Sequence, residues 1–571
     1  MHIPGNNYIH NIYKQFSPLE RGIFAVAALV LIVGVVGLLG ELQSAVSTSI
    51  PVRGGSLHEG VVGFPRYANP VLASTNADRD IAALVYAGLT RMATDGTIEL
   101  DLADDLSISE DGFSYTFYLR DDIKFHDGHP LRAEDVVYTV NMLQDQKVDS
   151  PLAADWNGIS VQATDEQTVV FELSEPFGDF LHNTRVGILP KHQWSNETAD
   201  TFPFSSLNTD PNGAGPYKVT DIKRNNEGLP TRYQLTAFQD YHQPPFINVI
   251  DLSFFPSTAE RNKAFASGDV EAVYGLDPDE IDNIKNKQVV SQSLTRIFGI
   301  FFNQNNNEAL VDAQVRKALA VAIDKPALVT ELLSGHGKPL SGPLPTNTTA
   351  TASNGNKAEA EKLLAAAGWS KEGDQLTQNG EELALTITTA DVKSLRLTAN
   401  HVADSWRELG VNVSVSVLPI AELSQEVIRP RNYEALLFGQ SVNYGRDLYP
   451  FWHSGEQDDP GLNLAMYANS SVDTLLEEYR QATSDEARAD IAEEAASLIS
   501  ADQPAVFLYT PNFLYVVPKN IKQVALPPIT LPSDRFAQIQ RWYSKATNIW
   551  NIFVEESGQQ PTSTATTTEE H

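Results

Sequence analysis

The sequence predicts an α/β protein of more than one lobe, carried behind an apolar N-terminal helix. Three observations carry that reading. At 571 residues the chain exceeds what one hydrophobic core organises. Strand-like and helix-like blocks alternate along it without a simple repeat. And Gly22 to Gly40 is an uncharged run of 19 residues, roughly 28 Å as a helix, close to the hydrocarbon thickness of a bilayer.

Lys14 and Arg21 precede that run and Glu41 follows it, so the positive-inside bias puts the N-terminus in the cytoplasm and the bulk of the chain outside. An uncleaved anchor is expected, with a secretion signal cut after Ala45-Val46-Ser47 as the alternative. Zero cysteines exclude disulfides, thiolate metal sites and a lipid-modified cysteine tether. A formal net charge of −32 argues against nucleic acid, whose phosphates repel an anion.

The stretch Asp111 to Val140 has the clearest local signals. Asp111-Gly112 turns into a strand with Phe113, Tyr115, Phe117 and Leu119 on one face. A second turn at His126 to Pro130 leads to a helix whose stripe is Val136, Val140 and Leu143, with Glu134 and Asp135 in its first turn. Before it, Asp78 to Leu89 predicts a helix with Ile81, Leu84 and Val85 inward and Gly88 near its C-cap. After it, a hairpin turns at Asp165, a return strand follows Gly213-Ala214-Gly215-Pro216, and a strand–helix pair covers Asp240 to Gly275. Phe298 to Asn303 is an apolar strand, and a long helix runs from Asp312 to Lys325. Helices ending at Gly368 and Gly410, strands at Val411–Val415 and Asn432–Phe438, two helices (Val472–Ala482, Asp485–Ser500) and a strand over Gln503–Tyr509 complete the order. Beyond Glu556 the polar tail has nothing apolar to bury and is expected to be disordered.

Lys124-Phe125-His126-Asp127-Gly128, then Pro130 and Ala133-Glu134-Asp135-Val136-Val137-Tyr138-Thr139, resembles the signature of the extracytoplasmic solute-binding proteins of family 5, the peptide- and nickel-binding components of ABC transporters. Further blocks agree in order: Pro65-Arg66 with Asn69-Pro70, Leu84-Val85-Tyr86-Ala87-Gly88-Leu89, Ile188-Leu189-Pro190-Lys191-His192, Gly213-Ala214-Gly215-Pro216-Tyr217, Val315-Arg316-Lys317-Ala318-Leu319 to Ile323-Asp324, and the helix into Gly368-Trp369. The likeness spans about residues 55 to 550. It implies a hinge-linked, two-lobed binding protein of the periplasmic type II kind with an extra inserted subdomain. The expected boundaries are a cytoplasmic N-terminus over 1–21, an anchor over 22–42, a linker over 43–54, a discontinuous first lobe over 55–95, 206–296 and 516–553, an inserted second lobe over 96–205, a third lobe over 297–515 and a disordered tail over 556–571.

Enzyme motifs are missing: no Gly-x-Ser-x-Gly, no His-Glu-x-x-His, no Gly-Lys-Ser/Thr. His126-Asp127-Gly128-His129 has metal-type side chains, but two ligands on one tight turn do not make a site, and Gly128 with Pro130 explains the turn. No metal and no cofactor are expected. The resemblance implies a peptide clamped between lobes and passed to an ABC permease by a membrane-tethered, extracytoplasmic monomer. A nickel or other small-solute binder, a tethered peptide sensor and a hydrolase are the alternatives. The loop from Gln440 to Ser454 lies where the family places ligand contacts. Asp447 is similar in position to the carboxylate that takes the peptide α-amino group, or is a solvated loop acid. Tyr444 and Trp452 either line side-chain pockets or pack the hinge, and Asn463 resembles another cleft position. Arg446, Arg429 and Arg431 are the candidates for the peptide carboxylate, or are surface charges.

Overall fold

The computed structural model describes residues 17–281, 284, 286–346, 355–442, 446–482 and 484–550. They form two compact units, one joining the chain up to Arg53 with the part from Tyr543 on, the other running from Gly54 to Trp542.

In the first unit a helix spans Pro18–Val46. Ser17 caps it, accepting from the Glu20 amide while the Glu20 carboxylate takes the Ser17 amide. Its Pro18–Val35 part is long and apolar enough to cross a membrane and is unburied by the rest of the protein. Ser47–Val52 then pairs antiparallel with Lys545–Trp550, Ser47 opposite Trp550. The linker expected over 43–54 is therefore largely a strand, and residues 545–550, expected in the first lobe, are its partner. The pairing joins the two ends of the chain, and no local pattern in either segment announces a partner so distant. The tail beyond Glu556 lies outside the described residues.

The second unit is built on a sheet of 12 strands. Its longest strand, Ala505–Pro518, pairs antiparallel with Arg296–Phe302 through its first half and with Lys287–Ser293 through its second. Two long segments, Lys287–Phe302 and Ala505–Pro518, thus run past each other. Where they pass, the Leu294 amide donates to the Pro511 carbonyl (3.0 Å) and the Thr510 hydroxyl to the Leu294 carbonyl (2.9 Å). On one side the sheet continues through Ala272–Tyr274, Ser56–Val62, Val249–Phe255, Pro230–Ala237 and Tyr217–Arg224. On the other it continues through Ala435–Ser441, Ala384–Ala390 and Asn412–Leu418. The last two are parallel and are joined by the helix Lys393–Arg407, as a parallel pair requires.

Two large cores result. One gathers residues from Leu57 to Tyr274, rejoined by Phe513 to Trp542; the other runs from Ile297 to Tyr509. The chain changes core at the two points where the long strands pass, which makes that crossing the hinge. A separate four-stranded sheet, in the order Ala103–Ile108, Ser114–Leu119, Thr168–Leu173, Ile159–Ala163, carries the helix Ala133–Gln144. Its apolar face merges with the first core, so the inserted segment extends that core and has none of its own.

Tyr115, Phe117 and Leu119 are buried together, as are Val136, Val140 and Leu143. Phe113 is exposed because its amide is taken by the Asp111 carboxylate, so the chain is still turning there. The helix expected from Asp312 to Lys325 is two: Ala313–Val321, capped by Asp312, and Lys325–Leu333, capped by Asp324. Pro326 lacks the amide hydrogen that a continuing helix needs there. Gly88 lies two residues past the C-cap, Tyr86. The helix ends at Val85, and a Cβ on Gly88 would lie 2.6 Å from the Thr184 and Arg185 backbone.

Candidate functional site

A cleft of about 500 Å³ opens along the hinge. Gln292 to Thr295 line it at the crossing of the long strands. Asp95 to Ile98 with Gly178, Asp179, Leu181 and His182 contribute from the first core's side, and Lys338, Arg446, Tyr479, Asp485 and Arg488 from the second. Both signs of charge face one space, and burial from both cores raises the cost of leaving either unpaired.

The two walls meet at one seam. Tyr479 donates its hydroxyl to the Asp179 carboxylate (3.2 Å), and the Arg488 guanidinium stands 3.8 Å from the other Asp179 oxygen. Arg488 is held from behind by the Ala482 carbonyl (3.1 Å) and by Asp485. The local reason is helix geometry. Asn469 caps the helix Ser470–Gln481, which carries Tyr479 and Arg480 in its last turn, and Ser484 caps Asp485–Asp502, which carries Arg488 in its first. Gly178 lets the walls touch: a Cβ there would lie 2.8 Å from the Ala482 carbonyl and would collide with the Arg488 guanidinium.

Burial pushes the Asp179 carboxyl up, Arg488 and Tyr479 pull against that, and the nearby Asp447 adds to the rise. Burial, followed by Arg185 and Arg488, holds the His182 imidazole down at about 3.

Asp447 is 7% exposed and sits just behind this seam. Its carboxylate accepts from the Tyr449 amide (3.0 Å) and faces Arg480 at a long 3.4 Å. Arg480 lies flat on the Tyr449 ring, 3.8 Å from its centre, and its Nε has no hydrogen-bond partner among the described residues. Arg446 is exposed and lines the cleft. Tyr444 lies outside the described residues.

Two of the sequence candidates pack inside in this structure, which for Trp452 is the packing alternative. Trp452 is fully buried in the second core, with its ring 5.6 Å from Phe507 and 6.1 Å from Phe301. It sits on the inner side of the short helix Tyr449–Trp452, whose register the loop sequence did not reveal. Asn463 is also fully buried, and its amide is spent on the His453 and Tyr467 carbonyls and the Tyr467 amide. Of the candidate arginines, Arg431 is consumed by the Gln457, Ile428 and Gly461 carbonyls, and among the described residues Arg429 reaches Gln425 alone.

The family model for bacterial extracellular solute-binding proteins, family 5, matches residues 97–460. The chain belongs to that family. The family consists of substrate-binding proteins, and its fold is the two-lobed α/β one. The oligopeptide-binding protein AppA of Bacillus subtilis is 27% identical over 523 residues, covering 87% of this chain and 93% of the relative. Its solved structure, in complex with a nonapeptide, aligns with a TM-score of 0.64 and 25% identity over 86% of this chain and 99% of that one. The probable D,D-dipeptide-binding periplasmic protein DdpA of Escherichia coli is 25% identical over 512 residues, 86% of this chain and 96% of its own. NikZ of Campylobacter jejuni, solved with Ni(L-His), shares the fold at a TM-score of 0.67 and 24% identity, over 86% and 99% of the two chains.

Within this family fold, the seam residues Asp179, Tyr479 and Arg488 are what sequence reasoning missed, together with Lys338. Asp179 and Tyr479 are 300 positions apart, and neither belongs to a motif. The one local hint is Gly178, a glycine whose positive-φ freedom is not used and whose role is therefore close approach.

Proposed function

We propose that this protein captures short peptides in the hinge cleft and delivers them to an ABC-type import permease. The observation that carries the reading is the pairing of acidic and basic side chains around one cleft that both cores line. A zwitterionic peptide buried there needs opposite charge at each end, because an ion stripped of water and left unpaired costs several kcal/mol. On this reading the α-amino group lies toward Asp447 and Asp179, displacing the long Arg480 contact, and the α-carboxylate lies toward Arg446 and Lys338. Backbone amides of the guest pair with strand-edge groups, and water fills the side-chain pockets. The peptide ligands of AppA and DdpA support the guest class, and the hinge supports closure on occupancy.

The reading includes binding without catalysis, a monomeric ectodomain divided into lobes at the boundaries set out above except at 47–52 and 545–550, which pair with each other, and the apolar helix as an uncleaved anchor with its N-terminus in the cytoplasm. NikZ's nickel ligand is not carried over: among the described residues the cleft presents His182 as its one imidazole, and one imidazole alone does not make a nickel site. Native mass spectrometry of the purified full chain tests the proposal. Co-purified peptide masses, released on denaturation, are the expected result. A preparation that holds no peptide and binds none from a mixed peptide digest would end it.

A further inference from the structure

The tight turn that follows Phe125 presents two metal-type side chains in sequence, and the fold brings a third to them. His192, from the short helix Lys191–Trp194, places its Nε2 2.7 Å from one Asp127 oxygen. The His129 Nδ1 lies 3.3 Å from the other. The two imidazole rings stack with centres 4.0 Å apart and planes 21° from parallel, and one ligand atom from each of the three residues falls within 4.8 Å of the others. The Gln193 and Asn212 side-chain amides donate at 3.0 and 2.9 Å to the same Asp127 oxygen that His192 meets, and the His129 backbone amide donates to the other at 3.0 Å, so the carboxylate is held in place. Orienting partners of this kind accompany metal-binding carboxylates. His126 stays out of the cluster, since its ring is spent on the Gly215 carbonyl (3.0 Å) and the Gly213 amide (3.4 Å). None of the three residues lines the hinge cleft.

We propose that Asp127, His129 and His192 bind a divalent transition-metal ion of the zinc class on the surface of the inserted segment. Two imidazole nitrogens with one carboxylate suit Zn²⁺, Ni²⁺ or Co²⁺, whereas Mg²⁺ and Ca²⁺ seek all-oxygen shells. Metal–ligand bonds of about 2.0–2.1 Å place tetrahedral ligands roughly 3.3 Å apart. The His129–Asp127 separation of 3.3 Å already matches that spacing, and the 2.7 Å His192 contact is a hydrogen bond that has to lengthen to reach it. Stacked rings cannot both aim a lone pair at one ion, so one of them turns. His129, with 60% of its side chain exposed, turns, while His192, 29% exposed and resting near Phe125, stays against Asp127. The open side leaves the remaining coordination positions to water.

Titration of the detergent-solubilised full chain with Zn²⁺ by calorimetry tests this, using His129→Ala, His192→Gln and, as a control, His401→Ala. His401 faces Glu331 in the second core and has no part in the cluster. The wild type is expected to take up one equivalent that both cluster variants lose or bind at least ~10-fold more weakly, with the control unchanged. Zn²⁺ should also raise the unfolding temperature of the wild type and not of His129→Ala. His192→Gln preserves a hydrogen bond to Asp127, so its loss of binding is not a loss of fold. No saturable uptake up to ~100 µM Zn²⁺, or undiminished binding in either cluster variant, would overturn the site and leave a plain hydrogen-bonded turn.

Discussion

Arg535 and Arg488 are both buried arginines facing carboxylates, yet their surroundings are opposite in kind. Arg535 is fully enclosed, bonded at 2.7 Å to Glu59 and in a two-pronged grip at 2.7 and 2.8 Å to Asp80. Tyr515 donates its hydroxyl to Glu59 (2.6 Å), and the guanidinium lies between the Tyr274 and Phe536 rings, 4.5 and 3.9 Å from their centres. Burial pushes both carboxyls up and by itself would lower Arg535, but Asp80 and Glu59 override that and raise the guanidinium well above its ordinary value. Arg488 instead meets Asp179 at 3.8 Å with a tenth of each side chain still in contact with solvent. The first cluster ties the opening strand, the helix after it and the C-terminal segment into one body. The second joins two bodies that have to part. Short, saturated bonding in a dry core resists any motion, whereas a long, partly wet contact separates at small cost and is remade when the cleft closes.

The contrast breaks most directly at Arg535. Arg535→Met leaves two carboxylates buried without a cation and is expected to cost about 3–5 kcal/mol in denaturant unfolding. A cost as small as that of Arg488→Gln would erase the distinction between the clusters.

Acid should act through two buried imidazoles, one beside the Arg488 seam and one beside Arg91 and Asp101. His182, held down by burial and then by Arg185 and Arg488, and His242, held down by burial and then by Arg120 and Arg91, both sit at about 3. In the unfolded chain they titrate at their ordinary value near 6.5. Their contribution to stability is therefore complete above about pH 6.5 and is lost as pH falls toward 3, on the order of a few kcal/mol together. His242→Gln should flatten that part of a stability-versus-pH curve, and an unchanged slope would remove His242 from the account.

Gly178→Ala sharpens the comparison without touching a charge. The added methyl group would wedge the seam at Arg488 and Ala482, so peptide affinity should fall about 10-fold while the unfolding free energy moves by less than about 1 kcal/mol. Small-angle scattering should report a more open molecule, and a compact one with full affinity would show that the seam plays no part in closure. Asp447→Asn should weaken free-amine peptides by about 10-fold more than N-acetylated ones, read by calorimetry; equal weakening would take the α-amino role from Asp447. The smallest effect on binding belongs to Trp452→Phe, which trims a core residue and should cost about 1–2 kcal/mol of stability with peptide affinity unchanged.

Much of the fold was legible because its signals are local. Tyr115, Phe117 and Leu119 alternate as a half-buried strand must, and Ile81, Leu84 and Val85 recur at helical spacing, so neighbours along the chain already declare the buried face. The site was legible only where the family likeness reached it. Arg446 lines the cleft, but Trp452 was read from a loop whose inner and outer sides depend on a four-residue helix turn.

The order of strands and helices, the absence of thiol chemistry, the apolar N-terminal run and the family were determined by the sequence alone, because each rests on residue identity or on periodicity within a few positions. Only the tertiary structure decided which charges meet. Arg535 finds Asp80 across 455 positions and Asp179 finds Tyr479 across 300. His192 likewise reaches Asp127 across 65. Ion pairs, hydrogen bonds and metal ligation act over a few ångströms of space, and the distance between two residues in space is set by how the whole chain packs.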